Sequence, residues 1–243
     1  MGSDGISVDL ALAILSRRGW FAGRTPGLRS AFSAIATVRR YSQGEFLHHN
    51  GDEADGIFGL VDGTLDVTIP RADGLQLTIH RAAPGFWFGD IALFGGGGLL
   101  DCVVAGSVTQ VVHIPHLPLR ELVRVHPEFY EEFYALGYAN MSIVLRLLAN
   151  LATTPSAARV AMRLLMYDEK NEGAELSLSQ SKLAELVGLS PPTLQRILRR
   201  LQAKDVIEVG YGRIRILDQR GLRALCGAIR GRRAQPYSTD SRS

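Results

Sequence analysis

Between residues 37 and 115 the apolar positions fall in short runs separated by Gly, Asp and Pro. Gly56-Ile-Phe-Gly-Leu-Val61 and Thr64-Leu-Asp-Val-Thr-Ile69 flank Asp62-Gly63, a pair that predicts a hairpin because Gly accepts positive φ. Ala72-Asp73-Gly74, ahead of Leu75-Gln-Leu-Thr-Ile79, predicts a second turn. Many short strands with no long helix between them point to an antiparallel barrel or roll. Ahead of this region, Leu10, Leu12, Ala13, Ile14 and Leu15 are expected to form one apolar helix face, stopped by Gly19 and Gly23.

After Pro118 the period changes. Residues 126–154 predict a long helix with two apolar stripes at alternating spacings of three and four. One is Phe129, Phe133, Leu136, Asn140, Ile143 and Leu147, and the other is Tyr130, Tyr134, Gly137, Met141, Val144, Leu148 and Leu151. At about 1.5 Å per residue the helix would run roughly 40 Å, too long for a small roll to cover. One stripe is therefore expected on the roll. The other, with Tyr134, Met141, Val144, Leu148 and Leu151, is expected on a partner helix, as in a coiled-coil homodimer. The alternative is a helix buried between two domains of one chain.

Thr153-Thr154-Pro155 should break that helix and mark a domain boundary. The expected division is a β-roll over 1–125, the long helix over 126–154, a third domain over 155–229 and a disordered tail over 230–243. Within the third domain, Ser156 to Tyr167 reads as an amphipathic helix carrying Val160, Leu164 and Leu165. Asp168-Glu-Lys-Asn-Glu-Gly-Ala174 reads as a polar loop.

Residues 176–217 carry the strongest signal. Ser179 is placed to cap a helix over Gln180–Val187, which buries Leu183, Leu186 and Val187. Gly188 would supply the C-terminal turn. Ser190 would cap a second helix over Pro191–Ala203, apolar at Leu194, Ile197, Leu198 and Leu201. Two short helices joined by about three residues have the helix-turn-helix layout. Val206–Val209, Gly210-Tyr-Gly212 and Arg213–Leu217 then predict a β-hairpin wing. Thr193, Gln195, Arg196, Arg199 and Arg200 fall on the polar side of the second helix. Arg can make two hydrogen bonds to guanine and Gln two to adenine, while Ser and Thr hydroxyls reach phosphates.

Composition adds one fact that the averages hide. The chain has 243 residues, 27 Lys+Arg and 24 Asp+Glu, for a net charge of +3. Residues 1–154 hold 11 basic and 15 acidic side chains, a balance of −4, whereas residues 155–243 hold 16 and 9, a balance of +7. A basic half beside an acidic one points to nucleic acid as its partner. No run of 18 uninterrupted apolar residues occurs, so no membrane span is expected. Two separated cysteines, Cys102 and Cys226, and an N-terminus without a leader pattern fit a cytoplasmic protein.

The run Leu178-Ser-Gln-Ser-Lys-Leu-Ala-Glu-Leu-Val-Gly-Leu-Ser190, with Thr193-Leu-Gln-Arg-Ile-Leu198, resembles the Crp/Fnr family of bacterial transcription regulators. Ile57-Phe-Gly-Leu-Val-Asp-Gly63 is similar to that family's hairpin, and Phe88-Gly-Asp-Ile-Ala-Leu-Phe94 to its phosphate-binding cassette. The resemblance spans roughly residues 30–225. It implies an α+β fold with an N-terminal antiparallel, cyclic-nucleotide-binding-like β-roll, a long dimerisation helix and a C-terminal winged helix-turn-helix. It further implies a homodimeric, non-enzymatic regulator that binds an inverted repeat in double-stranded DNA and works with RNA polymerase. DNA contacts are assigned to Ser179, Ser190, Pro191, Pro192, Thr193, Gln195, Arg196, Arg199 and Arg200.

Several positions depart from the pattern that the resemblance implies. Cyclic-AMP-binding members carry a Glu for the ribose, then an Arg and a Ser or Thr for the phosphate. Here those positions read Asp90, Leu100 and Asp101, and the adenine-facing positions on the long helix are Val144 and Leu145. A phosphate without a cation and beside a carboxylate loses its charge-assisted bonds. The set Gly89, Asp90, Ile91, Ala92, Leu100, Asp101, Cys102, Val144 and Leu145 therefore reads as a degraded effector pocket. The effector stays open, and a roll that is only a scaffold is an alternative. No cofactor is expected. No cysteine precedes Cys102 to hold an iron–sulfur cluster. His48-His49 with Glu53 is faintly like a cupin metal motif, which leaves a cupin-like metalloprotein with a DNA-binding appendage as the rival class, although adjacent strand residues point to opposite faces. Pro191-Pro192 stand where members with the best-known operator carry Arg and Glu, so base discrimination is expected to rest on Gln195, Arg196 and Arg199.

Overall fold

The computed structural model describes residues 6–70, 76–152, 155–171 and 175–227. The chain divides into two compact units, residues 1–148 and 149–243, so the division falls inside the long helix rather than at Pro155.

The first unit begins with two helices, α1 (Val8–Leu15) and α2 (Pro26–Ile35), with a 3-10 turn over Trp20–Gly23 between them. Ser7 and Thr25 cap them by accepting hydrogen bonds from the amides of Leu10 and Leu28. The buried face of α1 is Ala11, Leu12 and Leu15. Leu10 and Ala13, expected inside, are exposed, because α1 lays only a narrow stripe on the sheet.

Strands β1 (Thr37–Tyr41), β8 (Thr109–Pro115), β3 (Gly56–Asp62) and β6 (Trp87–Phe88) form one antiparallel sheet in that order. Strands β2 (Phe46–His48), β7 (Cys102–Ala105), β4 (Leu65–Pro70) and β5 (Gln76–Ala82) form the other. The expected hairpin at Asp62-Gly63 is absent: β3 pairs with β6 and β8, and β4 with β5 and β7. The turn instead carries the chain from one sheet to the other. Gly63 sits at φ +86, where a Cβ would lie 2.4 Å from the Val108 carbonyl oxygen. The second expected hairpin is β4 with β5, paired from Leu65↔Ala82 to Pro70↔Gln76 with a one-residue register shift between Val67 and Thr68. Its turn, Ala72-Asp73-Gly74, lies outside the described residues.

Strand β3 is buried on both faces, as its unbroken apolar sequence requires. Phe58 and Leu60 face the interior of the roll with Leu65, Val67, Phe88 and Val103. Ile57 and Val61 face the other way, into a layer with Trp20, Phe21, Phe32, Trp87 and Phe133. Gly59 is needed between these layers, since a Cβ there would lie 2.5 Å from the Trp87 ring.

After β6 comes the short helix α3 (Asp90–Gly95); after β8 come α4 (His116–Val125), a 3-10 turn over Pro127–Phe129, and α5 (Tyr130–Ala152). Phe129, Phe133 and Leu136 of the first stripe are buried in the aromatic layer, and the Arg24 guanidinium pairs with Glu132 on the same helix. The second stripe is exposed along its length. At 23 residues α5 spans about 35 Å. With its preceding turn it is the one helix among the described residues long and apolar enough to cross a membrane, at mean hydropathy 1.3. Its apolar residues are sorted into a buried and an exposed stripe.

The second unit holds α6 (Ser156–Asn171), α7 (Gln180–Val187), α8 (Pro191–Gln202), the two-stranded sheet of β9 (Ile207–Gly210) and β10 (Arg213–Ile216), and α9 (Gln219–Gly227). Its core is Val160, Leu164, Leu183, Leu186, Leu194, Leu198, Leu201, Ile207 and Ile214, with neighbours. The polar loop expected from Asp168 starts later, because α6 continues to Asn171. Asp168 is buried and accepts a hydrogen bond from the Gln219 amide of α9, which holds the extra turn in place. Residues 228–243, including the expected disordered tail, lie outside the described residues.

Candidate nucleic-acid interface

Helix α7 starts where Ser179 accepts a hydrogen bond from the Lys182 amide at 3.2 Å and ends at Gly188, in the left-handed region at φ 61. The Gly188 and Leu189 amides then donate to the carbonyls of Glu185 and Ala184. Two more carbonyls at this end are closed from α6: Arg159 donates to Val187 O at 3.0 Å, and Arg163 to Leu186 O at 2.8 Å. Arg163 also reaches Asn150 in the last turns of α5, whose amide donates to Arg159 O. Sequence reading missed this network, because a basic residue on an amphipathic helix ordinarily signals a solvated face.

Ser190 has the extended geometry of an N-cap, φ −65 and ψ 147. Its hydroxyl makes no backbone cap bond, however, and donates to Thr193 Oγ1 at 3.0 Å. Pro191 and Pro192 have no N–H, so of the two amides that a cap normally serves, those of the second and third helical residues, one is missing. Thr193 is half-buried, whereas Gln195, Arg196, Arg199 and Arg200 are exposed. The helix ends at Gln202, one residue before the expected Ala203. The wing follows as expected, with Ile207↔Ile216 to Gly210↔Arg213 in register around Tyr211-Gly212.

Electrostatics separates the two candidate DNA elements. Arg196, Arg199 and Arg200 form no ion pair among the described residues, so three positive charges stand on one exposed helix face. On the wing, Arg213 is 3.3 Å from Glu175, and Arg215 is 3.6 Å from Glu175 and 3.2 Å from Glu208. The helix face offers uncompensated charge to a phosphate or base edge, and the wing largely neutralises its own.

The nine residues grouped as an effector pocket differ in exposure and in partners. Leu100 is 72% exposed. Asp101 holds His48 Nε2 at 2.9 Å, so its carboxylate is already engaged by a buried imidazole that sequence reading had set aside. Cys102 is buried and accepts the Asn50 amide at 3.2 Å. Val144 and Leu145 are exposed on α5. Gly89, at φ +98, passes so close to β3 that a Cβ would lie 2.6 Å from Gly56 O. Asp90 is buried and accepts from Asn140 Nδ2 at 3.1 Å, and burial pushes its pKa up to about 6 against that hydrogen bond. Ile91 is exposed beside it, and the Ala92 side chain lies outside the described residues. His49 is exposed and stacks on Phe46 while His48 points inward, and no three potential metal ligands cluster among the described residues.

Residues 38–126 match the family model of the cyclic nucleotide-binding domain and residues 158–225 that of the Crp-like helix-turn-helix domain. The chain is 25% identical over 183 residues to the cAMP-activated global transcriptional regulator CRP of Pasteurella multocida, covering 72% of this chain and 88% of that one. It is 26% identical over 205 residues to the HTH-type transcriptional regulator Cmr of Mycobacterium tuberculosis, covering 83% and 82%. Among solved structures it is similar to FixK2 from Bradyrhizobium japonicum, with a TM-score of 0.70 at 20% identity over 79% of this chain and 97% of that one.

The chain belongs to the Crp/Fnr family. It is a DNA-binding transcription regulator of the Crp/Fnr type, and its α+β architecture of antiparallel roll, long helix and winged helix-turn-helix is that of the family. Within this Crp/Fnr regulator the two matched domains are unequal in how they keep the expected side chains. The helix-turn-helix retains a polar reading face, and the cassette region of the roll presents Leu100 to solvent and ties Asp101 to a histidine.

Proposed function

We propose that the protein is a homodimer that reads an inverted-repeat operator through α8 and is not controlled by cyclic AMP. The observation that carries the DNA reading is the uncompensated Arg196, Arg199 and Arg200 face beside Gln195. Gln195, Arg196 and Arg199 would meet base edges, and Arg200 would extend the contact towards phosphates. Ser179, Ser190 and Thr193 would fix the helix against the backbone, and Pro191 and Pro192 offer only apolar contact. Dimerisation is supported by the exposed stripe of Tyr134 (80% exposed), Met141, Val144, Leu148 and Leu151, a run of large apolar side chains that water does not favour. Two reading helices related by a two-fold axis would meet half-sites about 34 Å apart. RNA polymerase is the expected further partner, and the cytoplasm the expected compartment.

Independence from cyclic AMP rests on the cassette. Leu100 offers no cation, and the Asp101 carboxylate, held by His48, would face a phosphate with its own negative charge. The test joins selection of bound duplexes from a random pool with calorimetric titration of cyclic AMP. Recovery of an inverted repeat bound by two chains is expected, with Arg196→Ala weakening it by about 1–3 kcal/mol and relaxing one base position of each half-site. Selection of a single half-site by a monomer, or saturable micromolar cyclic AMP binding, would overturn the corresponding part.

A further inference from the structure

Between α3 and the first turns of α5, within the roll unit, lies a groove of about 360 Å³. This volume is within the range of small-molecule sites. It is lined by Asp90 together with Phe94, Tyr130, Phe133, Tyr134 and Gly137. Phe94 stands 4.9 Å from Phe133 and 6.0 Å from Tyr130 between ring centroids. The chain leaves a gap above the carboxylate at Gly137, where a Cβ would lie 3.5 Å from Asp90 Oδ2.

This carboxylate lacks a counter-charge. Among the described residues Asp90 has one side-chain hydrogen-bond partner, the neutral amide of Asn140, and no ion pair. A buried carboxylate without a cation is held at a cost that a bound cation would remove. Four aromatic residues line the groove, and aromatic rings attract organic ammonium ions. Other ligand classes fit worse. A divalent metal needs more oxygen ligands than one carboxylate, an anion meets repulsion, and a neutral apolar molecule leaves the carboxylate buried and uncompensated.

We propose that this groove binds a small primary ammonium ion with an aryl body, its nitrogen on Asp90 and its ring among Phe94, Tyr130, Phe133 and Tyr134. Bound there, the ion would join α3 to the first turns of the exposed apolar stripe of α5, at Tyr130 and Tyr134. Its action as an effector rests on reading the chain as a DNA-binding dimer, whereas its binding does not.

The test is calorimetric titration of the full chain with 2-phenylethylammonium and 2-(indol-3-yl)ethylammonium at about pH 8, where Asp90 is ionised. The uncharged 2-phenylethanol and the anion phenylacetate serve as controls. One-to-one binding of an amine is expected, weaker by about tenfold or more for phenylethanol and absent for phenylacetate. Asp90→Asn and Gly137→Leu, the second of which fills the groove mouth, should each weaken amine binding by a similar factor, with folding followed by circular dichroism. The control ligands on the unaltered chain decide the matter even if a variant fails to fold. Equal affinity for phenylethanol, or no saturation by either amine to about 10 mM, would overturn the site. So would amine binding that vanishes as sedimentation shows the chain dimerising, because a second copy would then fill the groove. Amine binding with unchanged operator affinity upholds the site and overturns its effector role.

Discussion

Asp90→Asn should make the roll more stable at neutral pH and leave it unchanged in acid. Burial raises the Asp90 pKa from an ordinary 3.8 to about 6, opposed by hydrogen bonds from its own backbone amide and from Asn140. A pH unit corresponds to about 1.4 kcal/mol, so the ionised side chain costs the folded state about 3 kcal/mol. The sign follows from proton uptake. Between pH 3.8 and about 6 the folded roll binds more protons than the unfolded chain, so its stability falls as the pH rises through that window and then levels off. An amide at position 90 never ionises, and its oxygen can still accept from Asn140, so the variant escapes the fall. The gain should be near zero at about pH 4 and approach 2–3 kcal/mol at about pH 7.

Denaturant unfolding followed by tryptophan fluorescence reads this cleanly, because both tryptophans, Trp20 and Trp87, sit 5.3 Å apart in the roll's aromatic layer and none is in the second unit. The difference between variant and parent at each pH cancels the other titrating groups. A difference that does not change from about pH 4 to 7, or a variant destabilised throughout, would refute the argument that burial dominates at Asp90.

Three further outcomes follow from particular contacts. Arg199→Ala should weaken operator binding by about 1–3 kcal/mol while leaving the melting temperature unchanged, because the side chain is exposed and has no ion pair among the described residues; Arg213→Ala, already paired with Glu175, should cost clearly less in the same mobility-shift titration. Gly59→Ala places a methyl group against the buried Trp87 ring and should destabilise the roll by about 1–3 kcal/mol in the fluorescence assay, without altering the melting of the second unit. Gly188→Ala meets no close neighbour but keeps φ near +61, so a loss of about 1–2 kcal/mol from the second unit, read by differential scanning calorimetry, is expected.

The helix-turn-helix was legible because every signal in it is local. Ser179, Gly188, the 188–190 linker and the apolar spacing in α8 each act within one or two turns of chain, so spacing alone places them. The roll was legible as a class but not as a topology. Asp62-Gly63 marks a turn whichever strand follows, and the choice between pairing β4 with β3 or sending it to the other sheet is made by distant partners, β7 and β8. For the same reason the pairing of His48 with Asp101, 53 positions apart, could not be read from spacing. The groove was half legible: Tyr130 and Tyr134 were on the exposed stripe, but only the fold brings Asp90 and Phe94 beneath them.

The +7 of the basic half overstates what DNA meets. Four of its 16 basic residues lie beyond residue 227. Arg159 and Arg163 close carbonyls of α7, and burial holds the Arg163 pKa below its usual value. Lys182, Arg213 and Arg215 each stand beside a glutamate. Arg196, Arg199 and Arg200 remain as the concentrated charge, three per chain and six in a dimer. With about 0.9 counterion released per neutralised phosphate, those six bound their share of the salt dependence at a slope of about −5 in log K against log salt. Replacing the three together by Gln should flatten the slope by that amount or less. A slope that survives the triple replacement would put the phosphate contacts on Lys170, Lys204, Arg220, Arg223 or the chain beyond 227, and α8 would then be a reading element that contributes little to the electrostatic grip.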